Sequence, residues 1–158
     1  MNLYASLFPG SGISGILRVG AGEAPDREGT VRHARFLLNG EAFTAMDSAH
    51  DHAFAFSEAL SLMVGCDSQE EVDHFWRGLS EGGQEGPCGW LKDRFGVSWQ
   101  VNPTRLDEML SDPDPEKVAR VTRAFLAMEK FDIAALERAY SGDQAGGAPH
   151  FPATEAGA

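Results

Sequence analysis

Residues 57–103 read SEALSLMVGCDSQEEVDHFWRGLSEGGQEGPCGWLKDRFGVSWQVNP and hold both cysteines and all three tryptophans of the chain. The stretch opens with alternation. Glu58, Leu60, Leu62 and Val64 fall on one side and Ala59, Ser61 and Met63 on the other, the period of a strand over residues 57–64. A helix follows, capped by Asp67 or Ser68, with Glu70 and Glu71 in the first turn where the helix dipole favours anions. Val72, Phe75, Trp76 and Leu79 form its apolar stripe, and Gly82-Gly83 ends it. Two aromatic-bearing runs, around Trp90 and Trp99, flank the short turn Asp93-Arg94-Phe95-Gly96 and predict a hairpin. Val97, Trp99 and Val101 share one face of its second arm, while Ser98 and Gln100 share the other. A polar face beside large aromatics suits a strand with one side on a core and the other lining water or a cavity.

Outward from this stretch, the first third of the chain has a similar plan. Residues 1–8 carry Leu3, Tyr4, Leu7 and Phe8 at helical spacing, stopped by Pro9-Gly10. A weak strand over 12–20, a polar loop over 21–30 and a better strand over 31–38 lead to Asn39-Gly40, a strong hairpin turn, and a return strand through Ala42 to Met46. Helix, small-residue stop, strand and hairpin thus occur twice, except that only the second copy has a strand before its helix. A unit that cannot close its own sheet implies pairing, within the chain or with a second chain. Residues 47–56 read as a linking loop. Beyond Pro103 the pattern is helical: a short helix at 105–110, a second starting at Asp112-Pro113-Asp114-Pro115-Glu116 with the stripe Val118, Val121, Phe125 and Met128, and a third capped by Asp132 and running through Tyr140. Residues 141–158, rich in Gly, Ala and Pro, are expected to be disordered.

At 158 residues, 42% hydrophobic and 23% charged, the chain suits one globular domain or two small modules sharing a core. A formal charge of -11 argues against partners held by general attraction to polyanions, namely nucleic acid and anionic membrane. No stretch approaches the ~20 apolar residues of a membrane span. Residues 1–10 lack the basic start and apolar core of a signal peptide. Two cysteines without a disulfide framework point to a reducing, cytoplasmic setting.

Several groups carry candidate chemistry. Gly10-Ser11-Gly12-Ile13-Ser14-Gly15 has the dinucleotide pattern, but that pattern works after a strand and before a helix, and here the order is reversed. His50 and His52 flank Asp51 in the loop without a clear third metal ligand, so they read as a solvated turn. Cys88 lies between Pro87 and Gly89 with Lys92 and Arg94 nearby, a setting for an accessible thiol of lowered pKa and so for a nucleophile, or for a small buried hydrophobe. Cys66 reads as core. Trp90 and Trp99 are either pocket walls or core fillers, with Ser98 and Gln100 as orienting polar groups.

The run from Cys66 to Trp76, Gly82-Gly83, and Cys88-Gly89-Trp90-Leu91-Lys92-Asp93-Arg94-Phe95-Gly96-Val97-Ser98-Trp99-Gln100-Val101 resembles the PhnB-like branch of the vicinal oxygen chelate (glyoxalase/bleomycin-resistance) superfamily. Tyr4-x-x-Leu7-Phe8-Pro9, Leu38-Asn39-Gly40-Glu41 and Lys130-Phe131-Asp132-Ile133 extend the resemblance over residues 3–140. It implies an α+β fold of paired βαβββ modules, here 1–47 and 57–103, with a helical extension at 104–140, usually completed in a homodimer. A cupped sheet would enclose a small-molecule ligand. In the metal-dependent members His and Glu on the first and last strands of each module hold a divalent metal; by resemblance these positions fall near Glu58 or Leu60 and on Gln100, and near Thr44 or Met46 in the first module. Three functions follow from the resemblance. One is a metal-dependent enzyme of lyase, isomerase or dioxygenase type, with Glu58 and Gln100 on the metal and Cys88 and Gln100 as catalytic groups. The second is a metal-free binder that sequesters a ligand between Trp90, Trp99 and Ser98, as bleomycin-resistance proteins do. The third is the quinone-pathway methyltransferase whose label many members carry.

Overall fold

The computed structural model describes residues 1–23 and 25–143. Helix α1 (Asn2–Leu7) stops before Pro9, and Gly10 turns the chain at a φ of 65°. Strands β1 (Gly12–Arg18), β2 (Val31–Leu38) and β3 (Glu41–Ala45) then form an antiparallel sheet in the order β1-β2-β3. Asn39 and Gly40 take φ of 48° and 85°, the two left-handed residues that a tight hairpin requires, and set the register Leu38↔Glu41. Alternation along β2 buries Ala34, Phe36 and Leu38 and exposes Arg35 and Leu37.

The second sheet is β4-β7-β6-β5, built from β4 (Ser61–Cys66), β5 (Gln84–Glu85), β6 (Trp90–Lys92) and β7 (Ser98–Pro103). β4 runs parallel to β7, and the other pairs are antiparallel. β4 starts at Ser61 rather than at 57. Its register begins at Ser61↔Ser98, where β7 itself begins, so residues 57–60 have no ladder to join. They form a turn instead, with the Leu60 N–H donating to the Ser57 carbonyl, and Glu58 is lifted off the strand on which the sequence placed it.

Helix α2 (Gln69–Ser80) joins β4 to β5 across the back of this sheet. Ser68 Oγ accepts from the Glu71 N–H at 3.2 Å while the Glu71 carboxylate accepts from the Asp67 N–H at 2.7 Å, a reciprocal cap. Val72, Phe75, Trp76 and Leu79 are all buried against the sheet, each stabilising the fold by about 1.5–3 kcal/mol. A Cβ at Gly83 would stand 2.1 Å from the Lys92 carbonyl oxygen, so the helix can return to the sheet only through a residue without a side chain. Residues 61–103 are therefore a complete βαβββ module, and residues 2–45 an αβββ module.

Helices α3 (Arg105–Leu110), α4 (Pro115–Leu126) and α5 (Ile133–Ser141) follow. Asp114 caps α4 with Pro115 in its first turn, and Asp132 caps α5 through the Ala135 N–H. The extension is stitched to the second module. Gln69 Nε2 donates to the Phe131 carbonyl at 3.1 Å and Gln69 Oε1 accepts from the Ile133 N–H at 2.9 Å. The Cys88 and Gly89 N–H groups donate to the carbonyls of Met128 and Glu129. Phe131 and Leu136 enter the same core as Trp76 and Trp99. Ser141 still belongs to α5, which Gly142 caps at a φ of 85°, so the expected tail does not begin at 141; the disorder expected for 144–158 lies outside the described residues.

Candidate ligand-binding face

The second sheet has two chemically different faces. Towards α2 point Leu62, Val64 and Cys66 of β4, Leu91 of β6, and Trp99 and Val101 of β7. Away from it point Ser61 and Met63, Trp90 and Lys92, and Ser98 and Gln100, placed side by side by the pairs Ser61↔Ser98, Met63↔Gln100, Trp90↔Gln100 and Lys92↔Ser98. A cavity of about 450 Å³ borders that face at its β5–β6 edge, walled by Trp90 and Pro87 with Glu58, Glu85, Lys92 and Ser98 around it.

The expected site residues separate accordingly. Trp90, Ser98 and Gln100 do come together on the open face. Gln100 Nε2 donates to Ser61 Oγ at 2.8 Å. Ser98 is 1% exposed, and its Oγ has no hydrogen-bond partner among the described residues. An unpaired buried hydroxyl costs about 1–3 kcal/mol. Lys92 Nζ forms an ion pair with Glu58, whose carboxyl this bond holds below the usual carboxylate range. Glu58 reaches the rim from its turn rather than from β4.

Trp99 lies on the opposite face. It is 2% exposed, its ring stacks at 5.6 Å on Phe8, and it borders a separate cavity of about 530 Å³ between α1, the β2–β3 hairpin, β4 and α2. Cys88 also leaves the open face. Its left-handed backbone, φ 55°, turns the thiol towards α4, where Sγ donates to the Phe125 carbonyl at 3.7 Å. Cys66 is buried as expected, and desolvation, then the charges of Glu71 and Asp67, push its thiol up to about 12. His52 stacks on Phe54 in the exposed loop and bonds Ser48, and His74 Nε2 donates to the Leu7 carbonyl. Gly10 to Gly15 runs from α1 into β1, so its N–H groups do not open a helix.

A divalent metal is poorly served by the residues this face brings together. Glu58 is committed to Lys92 and Glu85 to Trp76 Nε1 and Ser80 Oγ, and Gln100, Ser61 and Ser98 supply neutral oxygens, whereas hard divalent ions favour carboxylates. No group of three His, Cys, Asp or Glu side chains with metal-binding geometry occurs among the described residues.

The sequence reading missed Asp93. This carboxylate is 3% exposed and accepts from the Tyr4 hydroxyl at 2.5 Å, Trp99 Nε1 at 2.9 Å, and the N–H groups of Phe95 and Val97 at 2.8 and 3.0 Å. Burial first, then the bond to Asp93 and its charge, raise the Tyr4 hydroxyl well above its ordinary pKa. Asp at the first place of a turn with Gly at the fourth was the available signal for the two backbone bonds; nothing local announced Tyr4, 89 positions away.

Fold and face together define a small α+β protein with a helix-backed mixed sheet whose other side is partly polar. The sequence model of the family described as 3-demethylubiquinone-9 3-methyltransferase matches residues 1–102, and the chain belongs to that family. A Bacillus cereus structure, provisionally described as a 3-demethylubiquinone-9 3-methyltransferase and PhnB protein, is 40% identical, with a TM-score of 0.61 over 66% of this chain and 88% of its own. A Pseudomonas aeruginosa protein structure is 25% identical, with a TM-score of 0.52 over 65% of this chain and 84% of its own. No curated protein matches the sequence. No helix among the described residues is long and apolar enough to cross a membrane.

Proposed function

We propose that this chain is a glyoxalase-like small-molecule-binding protein of the vicinal oxygen chelate superfamily, and that its site is the open face of the β4-β7-β6-β5 sheet. The observation that carries this reading is Ser98: a hydroxyl on the open face, buried and without a partner, in a strand whose Trp99 and Val101 are committed to the core. Trp90 supplies apolar wall and Gln100 an orienting amide. Ligand capture without a metal is favoured over metal-assisted turnover, because both carboxylates at the cup are already engaged, Glu58 by Lys92 and Glu85 by Trp76 Nε1 and Ser80 Oγ, and the other oxygens are neutral. The methyl transfer in the family's description draws no specific support from the glycine segment, which follows a helix and enters a strand. Pairing into a homodimer is supported by apolar side chains left in solvent, among them Leu17 and Leu37 on the first sheet and Met63 on the second.

The test is a fragment screen by ligand-observed NMR, repeated on Ser98→Val and Trp90→Ala. Hits lost in both variants support the cup; hits insensitive to both overturn it. Equilibrium dialysis against manganese, nickel or zinc, read by elemental analysis, decides the metal. Stoichiometric metal that disappears in Gln100→Ala would overturn the metal-free reading.

A further inference from the structure

We infer, resting on that reading, that the cup takes a small planar carboxylate held by Lys92 and Ser98, and that Glu58 is an internal placeholder which the ligand displaces. Lys92 and Ser98 are direct cross-strand partners, so the lysine stem and the residue with the unpaired hydroxyl leave the sheet side by side on one face. Beside them Trp90 and Pro87 offer apolar surface for a flat body. One donor pair at the edge of an apolar wall is the arrangement that recognises an acid on a planar ring or chain.

The ammonium is currently answered by Glu58 alone among the described residues. That carboxylate sits in the turn before β4, within residues 51–60, all of them exposed, and its side chain is 62% exposed. The other acid bordering the cavity, Glu85, is engaged by Trp76 Nε1 at 2.8 Å and Ser80 Oγ at 3.2 Å. The Lys92–Glu58 pair is thus an ion pair near solvent, weak and exchangeable, between a residue anchored in the sheet and one on a turn. A ligand carboxylate would keep the charge balance at Lys92 and also reach the Ser98 hydroxyl, which Glu58 leaves unpaired.

Calorimetric titration of the full chain with benzoate, and with benzamide as its neutral isostere, tests this. Benzoate should bind at least tenfold more tightly. Glu58→Gln should tighten benzoate by about two- to fivefold by removing a competitor of exposed-pair strength. Lys92→Met should abolish the preference for benzoate. Melting profiles matching the wild type would show that both variants are folded. Equal binding of benzoate and benzamide, lost in Trp90→Ala, would overturn the carboxylate assignment and leave the cup standing. Weaker benzoate binding in Glu58→Gln would make Glu58 a ligand contact and overturn the placeholder. Failure of benzoate, benzamide and the fragment screen alike would overturn both this inference and the binding function beneath it.

Discussion

Asp93→Asn isolates one buried charge on which two modules depend. Oδ2 accepts from Tyr4 and from the Trp99 ring, and Oδ1 from two backbone N–H groups of its own turn. Asparagine must place an NH₂ at one of these positions, so two donors then face a donor, whichever way the amide turns. Each bond to a charged acceptor contributes about 1.5–3 kcal/mol, and two are lost; the smaller cost of burying a neutral amide returns part of this, leaving a net loss of ~3–4 kcal/mol. For a domain of this size that lowers the melting temperature by roughly 6–16 °C. Urea unfolding followed by tryptophan fluorescence and by circular dichroism gives the free energy, provided the two transitions coincide. Tyr4→Phe removes one donor and should cost less, about 1–2 kcal/mol, because Tyr4 is only partly buried. The double variant should be less destabilised than the sum by ~1 kcal/mol or more, since both changes break the same bond. A loss below ~1 kcal/mol for Asp93→Asn, or strict additivity, would refute the claim that this carboxylate clamps α1 to the hairpin.

Alkaline pH should act on the same clamp. A tyrosine whose folded pKa is raised ionises first in the unfolded chain, so its contribution is intact below the ordinary tyrosine value of about 10 and is lost as pH rises above it. Stability measured from pH 8 to 11 should therefore fall at the top of this range, and Tyr4→Phe should flatten the fall. Gly89→Ala should cost more than ~3 kcal/mol, because a Cβ there would lie 2.4 Å from the Phe131 ring and 2.8 Å from the Val101 carbonyl oxygen, at a φ of 77° that L side chains avoid; chemical denaturation checks it. Gln69→Ala removes the two bonds that tie Phe131 and Ile133, at the start of α5, to α2, and should cost ~2–3 kcal/mol and speed proteolytic cleavage between residues 127 and 132 relative to cleavage within α2.

The parts of the fold that could be read in the sequence are those where one period decides burial. The stripe Val72, Phe75, Trp76 and Leu79, the Asn39-Gly40 turn and the split of Trp99 and Val101 from Ser98 and Gln100 all follow from spacing, and the structure shows each of them. The start of β4 was not legible. Alternation continues back to Glu58, yet a strand lasts only as long as its partner, and that partner's first residue is set by a turn more than thirty positions away. Cys88 misled for a related reason. Its neighbours Pro87 and Gly89 are small and two cations follow, but a left-handed φ aims the thiol at a helix that enters the core much later in the chain.

The two tryptophans show how much function turns on a single step of register. Trp90 and Trp99 lie on adjacent strands, and nothing in their composition distinguishes them. Pairing Leu91 with Trp99 and Trp90 with Gln100 sends one ring into the core, its N–H spent on Asp93, and leaves the other beside Lys92 and Ser98. A one-residue slip of β7 would bring both rings to the open face and turn Ser98 and Gln100 inward, burying polar groups against Val72 and Leu79 at several kcal/mol by order of magnitude. The register is therefore held by the same core packing that leaves the polar row facing out. The extension adds to this by binding the Cys88 and Gly89 N–H groups, so the loop that carries Pro87 and precedes Trp90 is fixed from behind. Under the proposed function, a wall fixed in this way, with one unpaired hydroxyl and one solvent-exposed ion pair in front of it, suits selective capture of a small molecule better than adaptation to a large one.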